Sequence, residues 1–185
     1  GAAISQSGAT TNITSGNPNN VIGWKDFSVK NGESVVFDGG AKTNNYLNVV
    51  TGKVTSRIDG SITGGNNVYI ANTNGVVFGE TANVNVGNLY VTTRAVDVDA
   101  IGTAVAGGAT LASQESSIIN TTAAAAPNTA QAEVVSLVDG AGHSVAANKI
   151  VIEGQSVRIL NSANIAATTD VQISVSAAQK KFQKN

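Results

Sequence analysis

Asp97 and Asp99 stand two residues apart in Val96-Asp97-Val98-Asp99. Strict alternation of this kind puts both carboxylates on one face of an extended strand and both valines on the other, and carboxylates so placed can help hold a calcium ion. No other Asp, Glu or Lys occurs between Glu80 and Glu115, so the pair is expected to be solvated surface rather than a cation site. His143, the single histidine, sits in Gly140-Ala141-Gly142-His143-Ser144. A hydrolytic triad needs a Ser on a strained Gly-x-Ser-x-Gly elbow and a zinc site needs further ligands, so His143 reads as a turn residue. Cysteine is absent, which removes disulfides, thiolate metal sites and a cysteine nucleophile. No phosphate-cradling Gly-x-x-x-x-Gly-Lys occurs. No catalytic, cofactor or metal site is expected.

Two groups have the makings of binding sites. Trp24, Phe27 and Phe37 are three of the chain's five Trp and Phe residues. They suit either a stacking platform for a ligand or a bulky plug closing the end of the fold, and the area such side chains bury favours the plug, an N-terminal cap. Asn72-Thr73-Asn74-Gly75 offers polar groups to a receptor, yet Asn-Gly has a complete explanation as a β-turn. Asn12-Ile13-Thr14 and Asn120-Thr121-Thr122 match a glycosylation sequon that arises by chance in chains rich in Asn and Thr.

The elements that must carry these groups follow from a repeat. Leu47-x-Val49, Val68-x-Ile70 and Leu89-x-Val91 recur 21 residues apart, and Ile150-Val151-Ile152 and Val171-Gln172-Ile173 restore that step. A strand that meets its own copy 21 residues on is not in a hairpin, whose partners follow within a few residues and run antiparallel. A parallel β-solenoid satisfies the period, and Thr-Gly, Asp-Gly, Gly-Gly-Asn-Asn and Asn-Gly between the triplets supply its corners. At roughly 21 residues per coil, 185 residues would form about seven to nine coils reaching about 35 to 45 Å.

Composition agrees. Aromatic residues make up 4%, charged residues 12%, and only two prolines occur; small and β-branched side chains suit a narrow coil interior, and long helices are not expected. A net charge of −1 provides no basic footprint for nucleic acid or for an anionic membrane surface. One domain spanning 1–185 is expected. Within it, 1–46 form a cap and first coils, with apolar strands meeting at Asn31-Gly32 in a hairpin or tight corner and a loop over 39–46. Residues 47–100 form the motif-bearing coils and 101–133 an irregular coil or an insertion, with Ser117-Ile118-Ile119 as a strand. Residues 134–185 form C-terminal coils and a basic tail. Gly1-Ala2-Ala3-Ile4 has the small-residue character found beside a signal-peptidase site, and a cap recognisable only at the N-terminal end is what the front of a longer solenoid would show.

A series of motifs runs through the first half: Ile4-Ser5-Gln6-Ser7-Gly8, Val21-Ile22-x-Trp24-x-x-Phe27, Asn31-Gly32-Glu33-x-Val35-x-Phe37, Leu47-Asn48-x-Val50-Thr51-Gly52, Ser56-Arg57-Ile58-x-Gly60, Val68-Tyr69-Ile70-x-Asn72-Thr73-Asn74-Gly75-Val76-x-Phe78-Gly79 and Ala82-x-Val84-Asn85-Val86-Gly87-Asn88-Leu89. Over residues 1–94 the chain thereby resembles the N-terminal two-partner-secretion (TPS) domain, or haemagglutination-activity domain, of filamentous-haemagglutinin-like exoproteins. Thr73 departs from the family's Asn-Pro-Asn-Gly, at an entropic cost, while Asn74-Gly75 keeps a pair able to adopt left-handed geometry. Asn17-Pro18-Asn19 lies near the start of the chain, but no clear second Asn-Pro-Asn motif of the kind some members carry between the strands is evident, which places the likeness in the adhesin and haemophore-like branch.

The resemblance implies an all-β fold, a right-handed parallel β-helix (β-solenoid) with an N-terminal β cap and short extra-helical β elements. It implies a non-enzymatic, monomeric secretion-targeting domain of a large adhesin- or haemolysin-like exoprotein from a diderm (Gram-negative-type) bacterium. Such a chain is exported by Sec through the periplasm to the cell surface or medium. Its implied partners are the periplasmic POTRA domains of a cognate outer-membrane TpsB transporter and, in cis, the downstream exoprotein, whose folding outside it nucleates. Two rivals remain at this point: a polysaccharide-active β-helix enzyme, whose groove would gather several carboxylates and basic residues, and a glycan-binding adhesive module, whose shallow faces would offer Asn and Thr.

Overall fold

Alternating side chains force each strand to choose which residues turn into the coil, and stacking repeats that choice from coil to coil. The computed structural model describes residues 1–119, 134–138, 143–154, 156–160, 163–175 and 181–184. Its strands are β1 (Ala3–Ser7), β2 (Thr10–Thr14), β3 (Asn19–Trp24), β4 (Ser34–Phe37), β5 (Asn45–Val50), β6 (Ser56–Ile58), β7 (Ser61–Ala71), β8 (Val76–Phe78), β9 (Asn83–Thr92), β10 (Val134–Val138), β11 (Val145–Gly154), β12 (Ser156–Leu160), β13 (Ile165–Val175) and β14 (Lys181–Lys184), with, among the described residues, one α-helix, α1 (Val98–Ala106), between β9 and β10.

Two parallel sheets form the walls. One has the order β1-β2-β4-β7-β9-β11-β13, with β3 and β5 joining it beside β7; the other runs β6-β8-β10-β12-β14. The fold is an all-β parallel β-helix. Among the described residues only β1 and β2 pair antiparallel, and this hairpin lies over the first coil through β2–β4 pairing. Ile13 is fully buried beneath it while Ile4 stays half exposed. β3 and β4 do not pair with each other, so Asn31-Gly32 is a tight corner. Gly32 adopts a φ of 87° there, a conformation open to glycine at no steric cost.

The early coils split one wall into two short strands. β4 pairs with Ser61–Gly64 and β5 with Asn67–Ala71, so both meet the two halves of the long β7. Gly64 and Gly65, both at positive φ, take up the mismatch as a bulge, and a Cβ on Gly64 would strike the Phe37 carbonyl. The 38–44 corner between β4 and β5 carries the one positive φ outside glycine among the described residues, Asp38 at 60°. Its carboxylate accepts from the Tyr46 hydroxyl and from the backbone and side-chain nitrogens of Asn44, which hold it in that sparsely populated geometry.

One column of the interior pairs Tyr46 with Val68, Val68 with Leu89, and Leu89 with Ile150, and it ends at Val171, which pairs with Ile150 and is exposed. The step is 21 from Val68 to Leu89 and again from Ile150 to Val171, with a longer excursion between Leu89 and Ile150, but Leu47 pairs with Tyr69, a step of 22. The triplet Leu47-x-Val49 is therefore displaced by one residue from its expected stacking. Tyr46, Asn48 and Val50 turn inward, and Leu47 and Val49 turn outward with Tyr69, Ala71, Tyr90 and Val151.

That outward apolar stripe needs a cover, and residues 96–119 supply it. Val96-Asp97-Val98-Asp99 is not the expected strand: Asp97 is the N-cap of α1, its Oδ1 accepting from Ala100 N at 3.0 Å, and Asp99 lies in the first turn. Ser117-Ile118-Ile119 is not a strand either, because a 3-10 helix spans Ala112–Ser117. Ile101, Leu111, Ile118 and Ile119 are buried against the stripe. This helical strap lies outside the coil stack, which continues beneath it as β9 pairs with β11 and β8 with β10. Because the strap leaves the stack, the described residues build six levels along the axis, fewer than the seven to nine expected.

Candidate recognition turn and N-terminal end

Asn72 ends β7's run at a corner and is almost fully buried. Gly75 N donates to Asn72 O at 3.1 Å, closing a β-turn. Thr73 occupies the first central position, and Gly75 follows at a φ of 101°. Asn74 keeps a negative φ, so the expected left-handed pair reduces to Gly75 alone, and the turn matches the type I pattern of Asn first and Gly last.

The side chains of this corner face inward, toward the preceding coil. Asn72 Nδ2 donates to Val54 O and Ser56 Oγ, both at 2.9 Å, and Asn72 Oδ1 accepts from Asn74 N at 2.8 Å and Asn74 Nδ2 at 2.9 Å. Asn74 Nδ2 also reaches Gly52 O at 2.9 Å, and Thr55 Oγ1 donates to Asn74 O at 2.7 Å. Both carboxamides are thus spent on stapling one corner to the next, and Thr73 is the side chain of the turn left without such bonds.

At the N-terminal end, Trp24 and Phe27 meet edge-on with ring centroids 5.2 Å apart, and Phe37 packs on Tyr46 at 4.8 Å. Phe27 and Phe37 are buried; Trp24 is partly buried against the same core. The Trp24 indole donates to Asn48 Oδ1 at 2.9 Å, and Asn48 Nδ2 donates to Tyr69 O at 3.1 Å. A polar relay therefore fixes the indole from inside the coil.

Asp97 and Asp99 do not converge on a cation site, and among the described residues no three His, Asp or Glu side chains gather to hold a metal ion. His143 is described but Gly140–Gly142 lie outside the described residues, as does the Asn120-Thr121-Thr122 sequon. Two shallow grooves lie among the described residues. One is lined by Lys42, Asn85, Asn148 and Thr168 over a floor of alanines; the other holds Arg57, Asp59 and Glu80, with Arg57 and Asp59 already paired at 2.8 Å.

Three features escaped the sequence reading. An asparagine ladder climbs one corner: Asn45 Nδ2 donates to Asn19 Oδ1 at 3.3 Å, Asn67 to Asn45 at 2.8 Å and Asn88 to Asn67 at 2.8 Å, and Lys149 N donates to Asn88 Oδ1 at 3.1 Å. Its signal was an Asn returning at the coil step. The second is the strap, tied by Tyr69 Oη to Glu115 at 2.8 Å and by Leu111 N to Asn19 Oδ1 at 3.0 Å. Burial first, then the Glu115 carboxylate, pushes the Tyr69 hydroxyl above the phenol range and Tyr90 up to about 12. The third is the buried Glu153, which accepts from Thr92 Oγ1 at 2.8 Å and pairs with Arg94 at 3.2 Å.

The geometry defines a capped parallel β-helix whose corners are stapled by side-chain amides. A family model for the TPS secretion domain matches residues 1–184, and the chain belongs to that family, the secretion domain of a large exoprotein. It is similar to a heme/hemopexin-binding protein of Haemophilus influenzae strain Rd, 33% identical over 93 residues, which are 50% of this chain and 10% of that protein. A second heme/hemopexin-binding protein of Haemophilus influenzae is 34% identical over 82 residues, 44% of this chain and 9% of its own length. The chain spans about a tenth of the length of these relatives.

Proposed function

We propose that this chain is the non-enzymatic address of a bacterial exoprotein, recognised in the periplasm of a diderm cell, after Sec export, by the POTRA domains of a cognate TpsB transporter. The observation that carries the reading is the family match over residues 1–184, and the fold supports it physically. Its strands pair only with neighbouring levels, so the chain can pass a membrane extended and wind up afterwards, each finished coil offering a parallel edge to the next. While extended, the same polar β segments can add to a strand edge of a receptor. The Trp24, Phe27 and Phe37 cluster serves in this reading as the cap that starts the winding, and Asn72-Thr73-Asn74-Gly75 as a structural corner whose Thr73 alone is available to a partner. The match to a tenth of the heme/hemopexin-binding relatives supports shared export; it assigns neither ligand to this chain.

Deleting residues 1–94 from the full exoprotein should leave it in the periplasm, and undiminished export of the deletion would refute the proposal. A glycan-binding role has one observation in its favour, the groove carrying Lys42, Asn85, Asn148 and Thr168. Binding of the isolated domain to a glycan array, lost on Lys42→Ala with Asn148→Ala, would establish it.

A further inference from the structure

The chain holds two Asn-Gly dipeptides, Asn31-Gly32 and Asn74-Gly75, and the fold treats them oppositely. Asn31 is exposed at a corner closed by Glu33 N donating to Lys30 O at 2.9 Å. Among the described residues, neither its carboxamide nor the Gly32 N–H makes a hydrogen bond. At the other site Asn74 Nδ2 is shared between Gly52 O and Asn72 Oδ1, both at 2.9 Å, and Gly75 N is held by Asn72 O at 3.1 Å.

We infer that Asn31 is a site of spontaneous deamidation in the folded domain, and that Asn74 is one only while the chain is unwound. The backbone nitrogen of the following glycine attacks the Asn Cγ, forming a C–N bond. The carboxamide C–N bond breaks, and ammonia leaves, taking up the proton that the attacking nitrogen loses. Water then opens the resulting five-membered imide to Asp or iso-Asp. Glycine presents no Cβ to hinder the attack. At Asn31 both reacting groups are free. At Asn74 the leaving amide and the attacking nitrogen are each tied down, and three hydrogen bonds must break before the atoms can meet.

The products differ in consequence. A carboxylate at position 31 is solvated and lies next to Lys30. At position 74 it replaces a two-bond donor by an acceptor facing two other acceptors, Gly52 O and Asn72 Oδ1, so the corner loses both bonds of the Asn74 side-chain amide and gains a repulsion in their place. If the domain travels extended, as proposed above, a chain held unwound for long loses the ability to wind; the chemistry itself does not depend on that reading.

The 185-residue chain is incubated at mildly alkaline pH, once folded and once in denaturant, and conversion at each Asn is followed by peptide mapping and mass spectrometry. Asn31 should convert at similar rates in both states. Asn74 should convert on the order of a hundredfold more slowly when folded, the factor that three hydrogen bonds of ordinary net strength impose on a reaction that must break them. Equal rates at Asn74 in the two states, or protection of Asn31 as strong as that of Asn74, would overturn the inference. Asn74→Asp should lower the unfolding midpoint or prevent refolding, whereas Asn31→Asp should match the wild type; a wild-type midpoint for Asn74→Asp would sink the claimed consequence.

Discussion

Asn67 donates its side-chain amide to the carbonyl oxygen of the Asn45 side chain across 2.8 Å, at a separation of 22 residues. The same two residues are backbone partners between β5 and β7. The next rung, Asn88 to Asn67, spans 21 residues, so the ladder follows the change of step that puts Leu47 outside and Tyr46 inside.

Removing the middle rung tests whether the ladder holds the register. Asn67→Ala leaves Asn88 Nδ2 without its acceptor and takes from Asn45 Oδ1 the nearer of its two donors, Asn66 Nδ2 remaining at 3.2 Å. Chemical denaturation should show a loss of about 1–3 kcal/mol, the cost of stranded polar groups.

The corner at Asn72 should be more sensitive. Asn72 is buried and its side chain takes part in four hydrogen bonds, so Asn72→Ala is expected to cost about 3 kcal/mol or more. Thr73→Pro should act the other way. Position 73 is the first central turn residue, which favours proline, and its N–H makes no hydrogen bond among the described residues. A gain of about 0.4–1 kcal/mol in denaturation midpoint comparisons is expected, through the lowered entropy of the unfolded chain.

Alkaline unfolding follows from the tyrosines beneath the strap. Tyr90 is pushed from the ordinary 10.0 up to about 12 by burial first and the Glu115 carboxylate second. A folded-state pKa raised above the unfolded value means that folding favours the protonated form. The corresponding stability is complete below about pH 10 and is lost as pH rises towards about 12. Melting temperatures measured across that window should fall steadily in the wild type and less steeply in Tyr90→Phe.

The strap can be loosened separately from the coils. Leu111 is buried against the outward stripe of Leu47, Tyr69 and Tyr90, and Leu111→Ala should cost about 2–4 kcal/mol in a buried site of this kind. Circular dichroism should retain the β signature, while hydrogen exchange in residues 96–119 speeds up. An unchanged exchange rate there would mean that the strap is held by its polar ties alone.

The coil itself was legible in the residues. Triplets returning every 21 positions, small and β-branched side chains, and Gly or Asn at each corner are local properties, and only a parallel stack satisfies all of them together. The corner at Asn72 and the burial of Phe27 and Phe37 follow from those same residues. What tertiary structure alone decided is which face each side chain takes and what covers it. A slip of one residue at Leu47 turned that side chain outward, away from the column that holds Val68 and Leu89. The stripe so exposed then needed Ile101, Leu111 and Ile118, drawn from a segment whose alternation of Val and Asp imitates a strand until Asp97 caps a helix. Arg94 and Glu153, far apart in the chain, pair because the stack closes beneath that segment, joining β9 to β11. Period and composition act within one coil, whereas register and cover depend on contacts between coils, and those exist only once the chain has wound.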